Sequence, residues 1–215
     1  MSNPDAVWGL VSDVHGNYPA LEQALSLLSA AGAQRLAFLG DYVGRGDNER
    51  CVQRIRQAAD VAIVGNRDFD WQARVSASTR EWVLGLPTTA YVGQLLLAHG
   101  DARLTPALST AQIGRDFIRT WSEMERVQAS VFAFGHSHHA RMWRKGSISQ
   151  AAELLGTGSV SMESRYRYFV NVGTTGLPFP GKGGPSVSLV DFAGAQIRRL
   201  ALDPFQSPES RIRAT

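Results

Sequence analysis

Five times in this chain a short apolar run stops at a small cluster of Asp, His, Asn and Gly. Val7-Trp8-Gly9-Leu10-Val11 leads into Ser12-Asp13-Val14-His15-Gly16-Asn17. Residues 35–39 lead into Gly40-Asp41-Tyr42-Val43-Gly44-Arg45-Gly46, and residues 61–64 into Gly65-Asn66-Arg67-Asp68. Residues 94–98 run into His99-Gly100-Asp101, and residues 130–134 into Gly135-His136-Ser137-His138-His139. Runs this short, bounded by polar residues and glycine, read as buried strands. Leu21, Ala24, Leu25 and Leu28 recur at helical spacing between Pro19 and Gly32, which predicts a helix over 19–31; a second is expected over 48–59. Strand, helix, strand, helix, strand with polar residues at each exit predicts a layered α/β sheet. Such sheets hold ligands beyond the C-terminal ends of their strands.

The pattern then changes. A short helix is expected over 78–86, adjacent strands over 88–92 and 94–98 about Gly93, and a polar helical stretch over 102–130 with Phe117, Ile118, Trp121 and Met124 as a partial apolar face. From Arg141 the chain reads as β-rich, with strands over 168–172, 186–192 and 196–202. Asn171-Val172-Gly173-Thr174-Thr175-Gly176-Leu177-Pro178 and a Gly/Pro-rich loop to Pro185 lie between the first two. One domain is expected over 1–203, followed by a polar, partly disordered tail over 204–215.

Charge and cysteine content narrow the partners. The 22 Lys+Arg against 19 Asp+Glu leave a net charge of +3, too small an excess to imply nucleic-acid or membrane binding. Cys51 is the single cysteine, so no internal disulfide can form; its place in a helix predicts a buried small side chain. The longest apolar runs are too short to span a bilayer, and residues 1–6 lack the features of a secretory signal, so a cytoplasmic protein is expected.

The clusters carry the chemistry. Asp13 and His15 stand two apart at a strand exit, where period-two alternation would point both the same way. Carboxylate and imidazole are good ligands for a divalent metal. Taken singly, Asp13 or Asp41 reads more readily as a turn cap, and His15 as a loop histidine. The joint pattern is sharper: of 5 histidines, His15, His99, His136 and His138 all lie in these clusters. His139 adjoins the last and is expected to point away from His138. The tryptophans share no spacing and read as packing residues, with Trp71 and Phe69 as candidates to line a pocket for a base or aryl group.

The ordered series Asp13-x-His15-Gly16-Asn17, Gly40-Asp41-x-Val43-x-Arg45-Gly46, Gly65-Asn66-Arg67-Asp68, His99-Gly100-Asp101 and Gly135-His136-Ser137-His138 resembles the calcineurin-like metallophosphoesterase superfamily. The 171–176 stretch is similar to the Asn-Pro-Gly-Ser-Val-Gly loop of its small bacterial phosphodiesterase-like branch. The resemblance implies a four-layer αββα sandwich around two divalent metal ions. By that resemblance Asp13, His15 and His138 would hold the first, Asn66, His99 and His136 the second, and Asp41 would bridge them. Mn²⁺ is the expected ion, with Fe, Zn²⁺, Ni²⁺ or Mg²⁺ as alternatives. The implied reaction is hydrolysis of a small-molecule or nucleotide phosphodiester by a metal-bridging hydroxide, with Asn66 and Arg67 in the catalytic group.

One position departs from the family. Phosphatases of this type carry His after the Asn as general acid; here Arg67 stands in its place. A guanidinium stays protonated, so it cannot donate and recover a proton, but it can hydrogen-bond a phosphoryl oxygen. Arg67 and Arg45 are therefore candidate substrate contacts. The alternative for Arg67 is an ion-paired surface residue, with Asp68 as partner, and for Arg45 a loop-stiffening contact. The competing functional readings are an inactive scaffold that keeps the fold, and a phosphomonoesterase or protein phosphatase. Specificity is expected from loops 68–80, 101–128 and 176–185.

Overall fold

The computed structural model of the chain describes residues 6–100 and 113–204. Strand β1 (Val7–Val11) is followed by helix α1 (Tyr18–Ala30), β2 (Arg35–Phe38), α2 (Asn48–Ala58) and β3 (Val61–Ala62). Asn17 caps α1 by accepting from the Ala20 N–H at 3.1 Å, and Pro19 fits the first turn, where no N–H is needed. Ala20, Leu21, Ala24, Leu25 and Leu28 form its buried face. Next come α3 (Asn66–Asp70), α4 (Ala77–Leu84), β4 (Thr89–Val92), β5 (Leu95–Ala98), α5 (Ile113–Arg126) and β6 (Val131–Phe134). The chain closes with β7 (Arg141–Lys145), β8 (Glu153–Leu154), β9 (Ser159–Ser161), β10 (Arg167–Asn171), β11 (Ser186–Asp191) and β12 (Gln196–Ala201).

The strands form two sheets, β3-β2-β1-β11-β12-β9 and β4-β5-β6-β10-β7-β8. Within them β3, β2 and β1 are parallel, as are β5, β6 and β10. Side-chain alternation builds the layers. Trp8, Leu10, Ala37, Leu95, Leu97, Val131, Ala133, Tyr168 and Val170 pack together between the sheets. The residues between them face outward: Val11 and Phe38 join Leu21, Leu28, Val52 and Ile55 of the first helical layer. Leu96, Ala98, Phe132, Phe134 and Phe169 join Trp121 and Met124 of α5. Two mixed sheets with helices outside them make a four-layer αββα sandwich.

Of the helix expected over 102–130, α5 accounts for 113–126, and residues 101–112 lie outside the described residues, as do 205–215 of the expected tail. Helix α3 was not expected; it occupies what reads in sequence as a polar cluster. Cys51 is fully buried on α2, and burial pushes its thiol up to about 12. The folded protein should therefore leave Cys51 unlabelled by a thiol reagent that reacts once denaturant is added; prompt labelling without denaturant would contradict its burial. Among the described residues no helix is long and apolar enough to cross a membrane.

Candidate metal centre

The parallel strands of both sheets end on one side, and the loops that leave them are stitched together. Asp13 N–H donates to Gly40 O at 3.1 Å, His15 N–H to Asp41 O at 3.0 Å, and Gly135 N–H to His99 O at 2.9 Å. Thr175 N–H reaches Ser12 O at 2.9 Å and Gly176 N–H reaches Asp13 O at 3.0 Å. Glycine permits the close approach between these loops, across the two sheets at Gly135 and between neighbouring strands of one sheet at Gly65. A Cβ on Gly135 would run into Ser12 Oγ and Asp13 Oδ2, and one on Gly65 into the backbone and carboxylate of Asp41.

This crossing brings Asp13, His15, Asp41 and His138 together, all buried, with one ligand atom of each within 4.8 Å of the others. His15 Nε2 lies 3.2 Å from His138 Nε2 and 3.7 Å from both Asp13 Oδ1 and Asp41 Oδ2. His138 Nε2 is 3.1 Å from Asp13 Oδ1. Beside this group, His99 Nε2 lies 3.3 Å from Asp41 Oδ2, and His136 Nδ1 lies 2.9 Å from Asn66 Oδ1. The rings of His99 and His136 meet edge to face at 5.2 Å.

The side chains converge by a route that strand alternation does not describe. Asp13 (φ 54°), His15 (φ 50°), Asp41 (φ 56°), His136 (φ 65°) and His138 (φ 56°) all have left-handed backbone. They are five of the seven non-glycine residues with positive φ among the described residues. Each such residue costs on the order of 1–3 kcal/mol, and strain of this kind concentrates at functional sites. The period-two expectation for Asp13 and His15 is thus corrected: a left-handed turn at each residue aims both inward.

The donor chemistry fits a divalent cation. His138 donates Nδ1–H to Leu177 O at 2.6 Å, and His99 donates Nδ1–H to Leu39 O at 2.6 Å. A carbonyl can only accept, so Nδ1 carries the proton and each ring, when neutral, offers its lone pair at Nε2, on the side of a carboxylate oxygen. Asp13 Oδ1 and His99 Nε2 are buried and make no hydrogen bond among the described residues. Ligands that share one ion at bonds of ~2.0–2.2 Å stand about 3–3.5 Å apart when adjacent, and the pairs in this group lie 3.1–3.7 Å apart. The site draws positive charge. Burial works to raise Asp13, but the imidazoles of His138 and His15 outweigh it and hold the carboxyl well below the usual range. Burial lowers His99, yet the Asp41 carboxylate takes it up to about 10. Burial and the charge on His99 lower His136.

A calcineurin-like phosphoesterase superfamily domain model matches residues 7–194. The chain belongs to that superfamily. It is 27% identical to the phosphodiesterase YfcE of Escherichia coli over 162 residues, 70% of this chain and 77% of that one. An uncharacterized protein of Methanocaldococcus jannaschii is 38% identical over 61 residues; that match spans 28% of this chain and only 25% of the relative. The crystal structure of a metallophosphoesterase from Sphaerobacter thermophilus superposes with a TM-score of 0.78 at 21% identity, covering 97% of this chain and 94% of that one. The family is one of hydrolases that use divalent metals, and this chain carries a group able to bind one.

The remaining candidates fall at the edge. Arg67 is half-exposed with its guanidinium 3.3 Å from Asp70, so Asp70 and not Asp68 is its ion-pair partner. Its backbone N–H donates to Asp41 Oδ1 at 2.8 Å. Arg45 is exposed in the loop that follows Asp41. His139 accepts from Arg141 Nε at 3.2 Å and lies outside the clustered group. Trp71 packs toward the helix-side core with Arg74 4.2 Å over its ring, and Phe69 is exposed.

Asp68 was missed as a site residue. It is fully buried, and its Oδ2 accepts from Asp41 N–H and Gly65 N–H at 2.9 Å each. Its Oδ1 accepts from Tyr42 N–H at 2.8 Å and Val43 N–H at 3.0 Å. Burial first, and Asp41 second, push this carboxyl up to about 6. The readable signal was its place three residues after Gly65, where an acidic side chain at a helix start reaches back to the capping N–H.

Proposed function

We propose that this chain is a phosphodiesterase for a small-molecule or nucleotide phosphodiester. Asp13, His15 and His138 would hold one divalent ion, Asn66, His99 and His136 a second, and Asp41 would serve both. Mn²⁺ is the ion we favour, since all donors are nitrogen or oxygen. The observation that carries the reading is the convergence of Nε2 lone pairs and carboxylate oxygens in a buried site, with the tautomers of His99 and His138 set by backbone carbonyls. Two such ions, when bound, lower the pKa of water and stabilise charge on the phosphoryl group.

The chain's own residues set the rest. Neutral imidazoles and the Asn66 amide complete the donor set without adding negative charge that would repel a phosphate. Arg67 N–H fixes Asp41 Oδ1, leaving Oδ2 turned toward His15 and His99. The Arg67 guanidinium can exchange Asp70 for a phosphoryl oxygen at small cost, because an exposed pair is worth about 0–1 kcal/mol. It cannot protonate a leaving alkoxide, so good leaving groups should be favoured.

The test strips the metal with a chelator, restores Mn²⁺, and assays bis-p-nitrophenyl phosphate beside glycerol 2-phosphate. Activity should vanish and return with the metal. kcat/KM for the aryl diester should exceed that for the alkyl monoester by more than about 10²-fold, the lower end of what a general acid contributes. Equal or better turnover of the monoester would refute the diesterase reading. Metal uptake with no hydrolysis of any ester would make the protein a scaffold.

A further inference from the structure

Leu177-Pro178-Phe179-Pro180 runs beside His138 of the candidate metal centre. Its base is fastened to the site: Asn17 Nδ2 donates to Gly176 O at 3.0 Å, and Leu177 N–H donates to Thr174 Oγ1 at 3.0 Å. Leu177 O receives His138 Nδ1–H. Two residues on, the Phe179 ring lies over the same imidazole, with centroids 4.6 Å apart and planes inclined by 31°. One segment thus orients a cluster histidine through a carbonyl and rests an aromatic ring against it. Phe179 is nevertheless 44% exposed and Leu177 37% exposed.

The ring is held in place. Proline on either side fixes φ, and Lys182 N–H closes a turn onto Phe179 O at 3.1 Å. An aromatic ring already ordered loses little entropy on binding, so contact with it is converted to affinity efficiently. Flat π systems pack well on such a ring, in offset-stacked or edge-to-face geometry. A phosphoryl group placed at His138 would carry its ester substituents within reach of this surface.

We infer that Phe179 is a specificity-determining residue, a platform on which a planar aromatic substituent of the phosphodiester stacks. The inference rests on the phosphoesterase reading above and sharpens it: the substrate class is an aryl or nucleoside phosphodiester. It also moves the aromatic contact from Trp71 and Phe69, suggested by sequence, to a residue on the loop that joins β10 of one sheet to β11 of the other.

The test uses the Mn²⁺-loaded full chain and three diesters with one leaving group: methyl, phenyl and thymidine-5′ p-nitrophenyl phosphate. The native protein should prefer phenyl over methyl in kcat/KM by about three- to tenfold. Phe179→Ala should bring that ratio to about one, and Phe179→Tyr should restore it. The thymidine ester shows whether a nucleobase or only a plain aryl group is taken. A parallel measurement compares binding of phenylphosphonate and methylphosphonate, with bound metal quantified. A phenyl preference that survives Phe179→Ala, or a variant that loses metal and both substrates alike, overturns the platform and leaves Phe179 a support for His138. If nothing is hydrolysed but phenylphosphonate preference exists and is lost in the variant, the platform stands and the hydrolase reading falls.

Discussion

Asp41→Asn should leave a folded protein that scarcely turns over: kcat/KM falls by about 10³-fold or more, and bound metal drops. The fold survives because the amide oxygen can still accept from Arg67 N–H, as Oδ1 does at 2.8 Å. The amide nitrogen would face His15 Nε2 and His99 Nε2, which now lie 3.7 and 3.3 Å from Oδ2 and can accept from it. With both rings neutral the buried polar groups stay satisfied, and the circular dichroism spectrum of the metal-free variant should match that of the native protein. What is lost is the anionic oxygen at the centre of the cluster. An amide NH₂ has no lone pair to offer a cation. Transition-state charge stabilisation by a metal is worth several kcal/mol, and each 1.36 kcal/mol is tenfold in rate. Metal analysis on the same preparation separates a lost ion from a misplaced one. A variant within about tenfold of the native rate would remove Asp41 from the centre and with it the two-ion proposal.

The readable and unreadable parts of this chain divide along physical lines. Strands β1, β2, β5 and β6 stand out because each is short, largely apolar and closed by glycine and polar residues; the structure buries nearly every position in β1, β5 and β6 and the second half of β2. Helix α1 shows through its 3.6-residue spacing and its caps. Strands β8 and β9 do not show. They form outer edges of the sheets, are two and three residues long, and lie largely exposed, so neither apolar continuity nor alternation marks them. Helix α3 hid inside a cluster whose residues look chosen for chemistry. At the site, the order of the five motifs pointed to which side chains meet. How they meet was not encoded in any local pattern, because left-handed backbone at Asp13 or His138 depends on contacts across the two sheets. The role of Phe179 depends on His138, far away in sequence, and Gly/Pro-rich loops carry no periodicity that could announce such a contact.

Asp68→Ala should produce a large loss of stability, at least about 4 kcal/mol, although Asp68 is not one of the seven proposed ligands. One buried carboxylate accepts four backbone N–H groups, from Asp41, Tyr42, Val43 and Gly65. Removing it strands these donors, and an unsatisfied buried donor costs about 1–3 kcal/mol. The loss is partly offset because a charge held against burial, with its pKa up at about 6, no longer needs to be kept there. For a chain of this size the net corresponds to a fall in melting temperature of about 8–16 °C. Asp68→Asn separates acceptor geometry from volume: it keeps one oxygen for two of the N–H groups and turns an NH₂ on the other two, so it should recover less than half of the loss. The consequence for function follows from the same bonds. Three of the four N–H groups released belong to the segment that carries Asp41, so the affinity for Mn²⁺ should weaken by about 10–100-fold, the range for residues that orient metal ligands. Excess metal should then restore part of the activity in Asp68→Ala and none in Asp41→Asn. A melting temperature within about 3 °C of the native protein would mean that the 41–43 backbone finds other acceptors, and that the loop beneath the metal centre is organised by something other than this carboxylate.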